Sequence, residues 1–396
     1  MKKFSIFLLM LSMAANMLAQ NKSVLNEKNI LNHMDVGVNV GTLGFGIDVA
    51  VPVGDYVRIR AGYNYMPRFT INSAFNVETS TGAKTSSFVN KFGSIRKHLT
   101  DNGIDINWPY FKEEKELMEQ FENGNIKAKD DVSVGMKPNL HQFKFLVDVL
   151  PFKNNKHWSF TAGFFVGPSR VGDADNLKEE TAILKAVNLY NNRYYNGLFQ
   201  NRLQFQYIDG DGASHQGEIG KLTQFVTDNG LAGFTLGRFR DDGRRALMLP
   251  GEDATAHAEM KVSKIRPYIG VGYNTHLSKD KKWNLSVDAG VMFLCGAPSI
   301  YVDNVYKMMD PSPLVFDDKG NYVSGIGMSE YGFYYGDVWR YNFDAGKYDY
   351  VGEKVDHVDL VQDLKDIPGK AGDVVDFISK VKVYPNLSVG ISYRIF

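Results

Sequence analysis

Apolar residues stand at every second position from 387 to 395, with serine, glycine and arginine between them. Successive side chains of a strand point to opposite faces, so this segment has one wholly apolar face and one small or charged face. The same period of two recurs in seven earlier segments: 36–40, 43–51, 57–65, 142–149, 158–166, 264–274 and 283–293. The pattern predicts seven clear strands, most of them near the length of about 9–11 residues that crosses a bilayer, and an eighth at 36–40 if the chain turns after it.

The connections between these segments are short at one end of the strands and long at the other. Short turns lie at 52–55, 151–156 and 278–282, and three insertions lie at about 68–137, 171–259 and 299–382. The insertions are far longer than ordinary connections and predict folded material outside the strands. In the second insertion, Asn176 and Glu179 predict the start of a helix that continues to Leu189.

Two tryptophans directly follow basic turns. Trp158 and Trp283 each begin a strand on its apolar face. Tryptophan at the end of a membrane strand sits at the level of the lipid headgroups, so the sequence predicts an aromatic girdle there. A turn is also predicted at Gly41-Thr42, where the phase of the alternation changes; the alternative is a bulge.

The N-terminus has the pattern of an export signal. Lys2 and Lys3 precede an apolar run, and small residues continue to Ala19, which predicts a signal peptide over residues 1–19. A membrane anchor is the alternative, but the run is too short to span a bilayer. No later run of about 18 apolar residues follows, so an exported chain that stays in a membrane must close its sheet, because lipid cannot satisfy an open edge. The single cysteine, Cys295, excludes an intrachain disulfide.

In its last strand the chain resembles the outer-membrane β-barrel proteins of Gram-negative bacteria, in which this strand carries an assembly signal that ends in phenylalanine. Tyr393 and Phe396 correspond to that signal, although Phe396 is out of step with the apolar face. The even strand number of bacterial barrels favours a turn at Gly41-Thr42.

The resemblance, to small barrels of the OmpX/OmpA type with long extracellular loop insertions, implies an all-β fold. Residues 20–396 would form a single closed antiparallel up-and-down transmembrane β-barrel of about 8 strands with large mixed α/β loop insertions. The implied location is the bacterial outer membrane. The implied partners are outer-membrane lipid and, during biogenesis, periplasmic chaperones and the barrel-assembly machinery.

The inward positions of the predicted strands carry a set of charges. These residues are Asp48, Arg58, Arg60, Lys144, Asp148, Arg266, Asp288 and Arg394. Opposite charges confined in a lumen of low dielectric constant must pair, so we expect a packed ion network. The network is either a structural plug or a pore constriction. The plug is favoured, because eight strands enclose a space only wide enough for side chains.

The sequence predicts no catalytic, cofactor or metal site. The eight histidines form no spaced ligand pair, and His141, near the rim of the predicted barrel, has no nucleophile beside it. Asp209-Gly-Asp211-Gly resembles the start of a calcium loop, but its glycine comes too early. Acidic and basic residues balance at 45 each, which gives no reason to expect nucleic acid as a partner.

Aromatic residues flank a turn at Asp344–Lys347 in the third insertion and predict a hairpin. They are Trp339, Tyr341, Phe343, Tyr348 and Tyr350. On an exposed face they would bind an extracellular glycan or protein ligand; packed together they would form part of a cap. The sequence predicts a non-enzymatic surface-binding or envelope-structural protein, and a porin-like channel for small solutes is the alternative.

Overall fold

The structure is a computed structural model. It describes residues 30–79, 82–106, 116–117, 119–120, 125–127, 129–200, 205–207, 216–308, 315–316, 322–324, 334–335, 338–342, 344–350 and 352–395. The predicted signal peptide, Phe343 and Phe396 lie outside these residues.

Eight antiparallel strands close into a barrel, and strands that are consecutive in the barrel sequence are neighbours in its wall. The strands are β1 (Asp35–Gly41), β2 (Gly44–Pro52), β3 (Val57–Tyr65), β4 (His141–Val149), β5 (Trp158–Val166), β6 (Ile265–His276), β7 (Trp283–Phe293) and β8 (Val383–Arg394). β8 pairs with β7 on one side and with β1 on the other, which closes the sheet. The prediction of an all-β, closed, up-and-down barrel of eight strands is confirmed.

A two-residue turn joins β1 to β2, as the change of phase predicted. Gly41 pairs with Gly44 across this turn. Gly44 has a φ of +83°, and a side chain there would collide with the carbonyl group of Tyr65 in β3. Glycine is the residue that adopts this conformation without steric cost, so the tight hairpin depends on it.

The outward positions of the barrel strands are apolar and exposed. Val38, Phe160 and Ile269 expose 64%, 57% and 53% of their surface. Trp158 and Trp283 lie on this exterior at the end with the short turns, and the ring centroid of each is 5.0 Å from that of a tyrosine on the next strand. Contiguous apolar surface of this extent is unusual on a soluble monomer. Among the described helices, none is both long and apolar enough to cross a membrane.

The three long connections fold into a second unit, which we call the cap. It consists of the described parts of residues 66–140, 167–264 and 294–382. Its main sheet has the strand order Glu353–Val355, Val305–Met308, Arg245–Met248, Ala232–Phe239, Ile71–Thr79, Asp131–Pro138, Arg170–Asn176, His257–Lys261, Ser299–Val302 and Val358–Asp359, with Leu364–Lys365 beside Ala232–Phe239. The α-helices whose bounds lie within the described residues include α1 (Thr85–Asp101), α2 (Thr181–Leu189), α3 (Asn196–Phe199), α4 (Gln216–Asn229) and α5 (Gly369–Lys380).

The middle of the cap sheet continues the barrel wall. Five cap strands, from Ile71–Thr79 to Ser299–Val302, keep the order of β3 to β7, from which they extend. Backbone hydrogen bonds join the segments between the two sheets: Met66 N–H donates to Leu140 (2.8 Å), and Asn139 N–H donates to Val171 (2.7 Å). The cap is therefore attached to one side of the barrel through a continuous hydrogen-bonded surface.

The cap has its own hydrophobic core, larger than that of the barrel. Residues from α1, α2, α4 and the adjoining sheet are almost wholly buried, among them Leu184, Leu222 and Val226. The predicted helix start at Asn176 was wrong. Asn176 ends a strand and its side-chain oxygen accepts a hydrogen bond from Ala256 N–H, whereas α2 begins at Thr181.

Candidate functional site

Arg60 crosses the barrel lumen and joins two carboxylates. One guanidinium nitrogen donates to Asp148 on the neighbouring β4 (2.9 Å), and the group also donates to both oxygens of Asp288 on β7, across the bore (2.9 Å each). Asp148 accepts further hydrogen bonds from Arg58 (2.8 Å) and Thr161 (2.8 Å). Asp148 has no exposed surface, so these paired groups connect opposite walls and block the middle of the lumen.

A second ion pair lies beside the first. Lys144 Nζ is 2.6 Å from Asp48 Oδ1, and Asn39 donates to the other Asp48 oxygen (2.7 Å). Gly62 stands between Asp48 and Lys144 in the register of the sheet. A side chain at Gly62 would collide with the Asp48 carboxylate, so glycine is what leaves space for this pair.

Two residues of the predicted charge set do not join this network. Arg394 pairs instead with Asp35 at the short-turn end (3.1 Å). Arg266, in β6, has no carboxylate oxygen within 4.0 Å among the described residues. Its guanidinium donates to neutral oxygens: the carbonyls of Ser263 (2.8 Å) and Pro168 (2.5 Å) and the Gln142 side chain (2.8 Å). The expectation of an ion-paired Arg266 was wrong, because the nearest inward positions on β4 and β5 carry no acid.

An apolar layer lies above the ion network, towards the cap. Its members are Leu43, Leu146, Phe165, Tyr268, Met292 and Leu294, which are all buried. Phe165 and Tyr268 make an edge-to-face contact with centroids 5.4 Å apart. A small cavity of about 10 Å³ lies between this layer and Arg60. That is at the lower limit for a single water molecule.

A much larger cavity, of about 480 Å³, lies between the barrel and the cap. One wall is the face of the cap sheet that carries Met136, Ala174, Ala258 and Ile300, and the opposite wall is α5. Met292, Leu294 and Tyr384 from the top of the barrel form its floor, together with Arg266. Ile71 and Phe377, 50% and 69% exposed, stand at its edge.

The apolar lining makes this cavity unfavourable when it is empty. The cavity opens to the surface at the edge that carries Ile71 and Phe377, so its apolar walls stay in contact with solvent unless a ligand covers them. Water gains little there, because a bound water needs two or more polar partners. The volume falls within the range of small-molecule sites.

The other charged residues around the cavity belong to the opposite face of the cap sheet. Lys137, Asp173 and Glu259 stand side by side in its register. Arg170 bridges Asp173 and Glu259, and the hydrogen bond to Asp173 is the largest influence that raises the pKa of Arg170. The cap sheet thus has a charged, internally paired outer face, and Arg266 is the cation left on the cavity side.

The predicted aromatic binding surface is not a single exposed face. The hairpin is present, with Trp339–Asn342 paired to Lys347–Tyr350. Trp339 is buried: its ring stacks on Phe199 in α3, and its indole N–H donates to Asn196 (3.0 Å). Trp339 therefore belongs to the cap core and cannot bind an external ligand. Tyr350 is about half exposed. The side chains of Tyr341 and Tyr348 are not among those that the structure describes.

Comparisons with known proteins identify no family for this chain. No family model matches the sequence, and no curated protein matches it. The solved structures that are similar to it include Acinetobacter baumannii CarO2, at 13% identity, and CarO of the same organism, at 12%. The alignments cover 91% and 92% of this chain and 98% and 99% of those chains, both with a TM-score of 0.32. A likeness of this degree does not extend to function.

Among the described residues, no three His, Cys, Asp or Glu side chains are grouped so as to hold a metal ion. The cap cavity was missed by sequence reasoning. A sequence signal for one wall of the cavity is the alternation of Val132, Val134 and Met136 at the end of the first insertion, which forms the cap strand Asp131–Pro138.

Proposed function

We propose that this protein is an integral outer-membrane barrel that acts as a closed anchor for a binding domain, the cap, outside the cell. The apolar exterior supports a lipid environment, because so many exposed valine, isoleucine and phenylalanine side chains on one surface would be unfavourable in water. The short turns and the tryptophans would then face the periplasm. The OmpX/OmpA-type resemblance, the signal peptide and the assembly signal at Tyr393 and Phe396 belong to the same proposal.

The observation that carries the closed state is the pair of hydrogen bonds from Arg60 to Asp288, which joins opposite walls across the lumen below the buried apolar layer. A channel for small solutes needs a continuous water path, and side chains from opposite walls interrupt it here. The binding role rests on the cap, which contains a built cavity of about 480 Å³. No chemical step is part of this proposal.

Planar bilayers test the closed state directly. The refolded full chain should insert without a steady open state, while an open porin reconstituted in the same way gives conductance steps. Steady steps that scale with the amount of protein would contradict the plug and favour the channel. The membrane assignment is tested separately: the folded chain should need detergent or lipid to stay in solution, and a folded aqueous monomer would contradict it.

A further inference from the structure

We infer that the cap cavity binds one long-chain fatty acid, with its alkyl chain along the apolar walls and its carboxylate on Arg266. This inference rests on the proposed binding role of the cap and names its ligand class. Three features of the site support it: the chemistry of the walls, the unbalanced charge at the floor and the unused donors around that charge.

The walls select an alkyl chain. Cross-strand neighbours Ala174, Ala258 and Val302 form one row of the sheet face, and Met136 and Met260 flank it. None of these side chains can donate or accept a conventional hydrogen bond, whereas unbranched methionines adapt to a flexible chain. A sugar or a peptide would lose its hydrogen bonds to water here without replacing them.

The floor selects an anion. Arg266 is only 1% exposed, and its charge has no carboxylate partner among the described residues. A guanidinium has five N–H groups. Three of them donate to Ser263, Pro168 and Gln142, so two are left. Buried charges are usually paired, and a ligand carboxylate would supply the missing partner.

A neighbouring amide lies against Arg266, although it is not one of the residues that line the cavity. Gln142 is 1% exposed, and its side-chain nitrogen has no hydrogen-bond partner in the described structure, although its oxygen accepts from Arg266. Arg266, which lines the cavity, thus has unused donors, and the amide that contacts Arg266 from the barrel side has one as well. A fatty-acid carboxylate would pair with Arg266 while its alkyl chain fills the cavity, which a free phosphate or a neutral hydrocarbon cannot do together.

The test uses the full chain in phosphatidylcholine nanodiscs, with radiolabelled palmitate and hexadecanol as probes and protein-free nanodiscs as the background. Wild-type protein should bind about one palmitate per chain and bind hexadecanol more weakly. Arg266→Gln should lower palmitate affinity by about 10-fold or more, as expected for lost hydrogen bonds to a charged group, and leave hexadecanol binding unchanged. Arg394→Gln, the same change at the other end of the barrel, should alter neither.

A second variant keeps the inference testable if Arg266→Gln does not fold. Ala258→Phe fills the cavity and should abolish binding of both probes, with folding checked by the heat-dependent mobility of the barrel on gels. Palmitate binding no higher than in protein-free nanodiscs, or unchanged in either cavity variant, would overturn the inference. These outcomes leave the bilayer and solubility results untouched, so failure here is distinguishable from failure of the proposed function.

Discussion

Asp148 shows how a single residue holds together the ion network inside the barrel lumen. It is fully buried and lies between Arg58 and Arg60, while Thr161 donates a third hydrogen bond. Burying these charges is unfavourable in itself, and only their mutual attraction and hydrogen bonds offset it. Removing the carboxylate charge leaves Arg60 with Asp288 alone and leaves Arg58 without its carboxylate partner.

We predict that Asp148→Asn lowers the free energy of unfolding by about 3–5 kcal/mol, the usual result of breaking a buried pair from one side. Urea unfolding from lipid vesicles, followed by tryptophan fluorescence, measures it. Asp55→Asn is the matched control, because the exposed Asp55 carboxylate lies 3.8 Å from Lys156 and such pairs contribute about 1 kcal/mol or less. Equal effects of the two substitutions would contradict a structural role for Asp148.

The Asp130 carboxylate accepts hydrogen bonds at the start of α1, from the backbone N–H (3.0 Å) and the hydroxyl (2.5 Å) of Ser86. The hydroxyl bond, followed by the backbone bond, lowers the pKa of Asp130 from its ordinary value. A lowered pKa in the folded state stabilises the fold above the unfolded pKa, and this contribution is lost as the pH falls through the lowered value.

We therefore expect α1 to lose protection against hydrogen exchange as the pH falls below about 4. The exchange rates are first corrected for the intrinsic effect of pH. Ser86→Ala should raise the pKa of Asp130 and move this loss to higher pH. Ser94→Ala on the same helix is the control, since its hydroxyl donates only to the Asn90 carbonyl. An identical pH profile in the Ser86 variant would show that the hydrogen bonds from Ser86 to Asp130 do not stabilise α1.

At the scale of elements, the aromatic hairpin of the third insertion stabilises the cap more than it offers a surface. Val338 and Trp339 are buried, and the Trp339 ring lies between Phe199 and Tyr350. Sequence alternation predicted the hairpin but not its inward face, because an aromatic residue on a strand is equally compatible with a core and with a ligand surface. The direction it faces depends on α3, which is distant in the chain.

We predict that Trp339→Ala destabilises the cap by about 3–5 kcal/mol, as expected for a buried aromatic side chain. Lys347→Ala, at the turn of the same hairpin, should have an effect within about 0.5 kcal/mol, because it is exposed. Limited proteolysis of the cap in intact vesicles compares them. Equal protease resistance of Trp339→Ala and wild type would place this ring outside the core.

At the scale of the whole molecule, the barrel and the cap differ in how far the strand pairing of each depends on the other. Each barrel strand pairs with two other barrel strands, and the contacts of Arg60 and Asp148 are all made inside the barrel. The five cap strands that continue the wall are different, because their order follows that of β3 to β7. The cap therefore depends on the barrel more than the barrel depends on the cap.

We predict that a chain in which 68–137, 171–259 and 299–382 are replaced by short glycine–asparagine turns still forms the eight-stranded barrel, with heat-dependent mobility on gels. Shorter connections reduce the entropy lost on closure, so they should not hinder folding. The intact chain, refolded in parallel, is the control. If the shortened chain only aggregates, the cap is needed to assemble the wall.

The sequence by itself determined the eight strands, their inward and outward faces and the end at which the long connections lie. These properties are local, since the strand period of two assigns every side chain to a face without knowledge of its neighbours. Tertiary structure decided which inward charges meet: Arg60 reaches Asp288 across the lumen, and Arg266 faces a cavity without a carboxylate. It also decided that the insertions continue the barrel wall and enclose that cavity, because such contacts join residues more than 100 positions apart, where no local pattern operates.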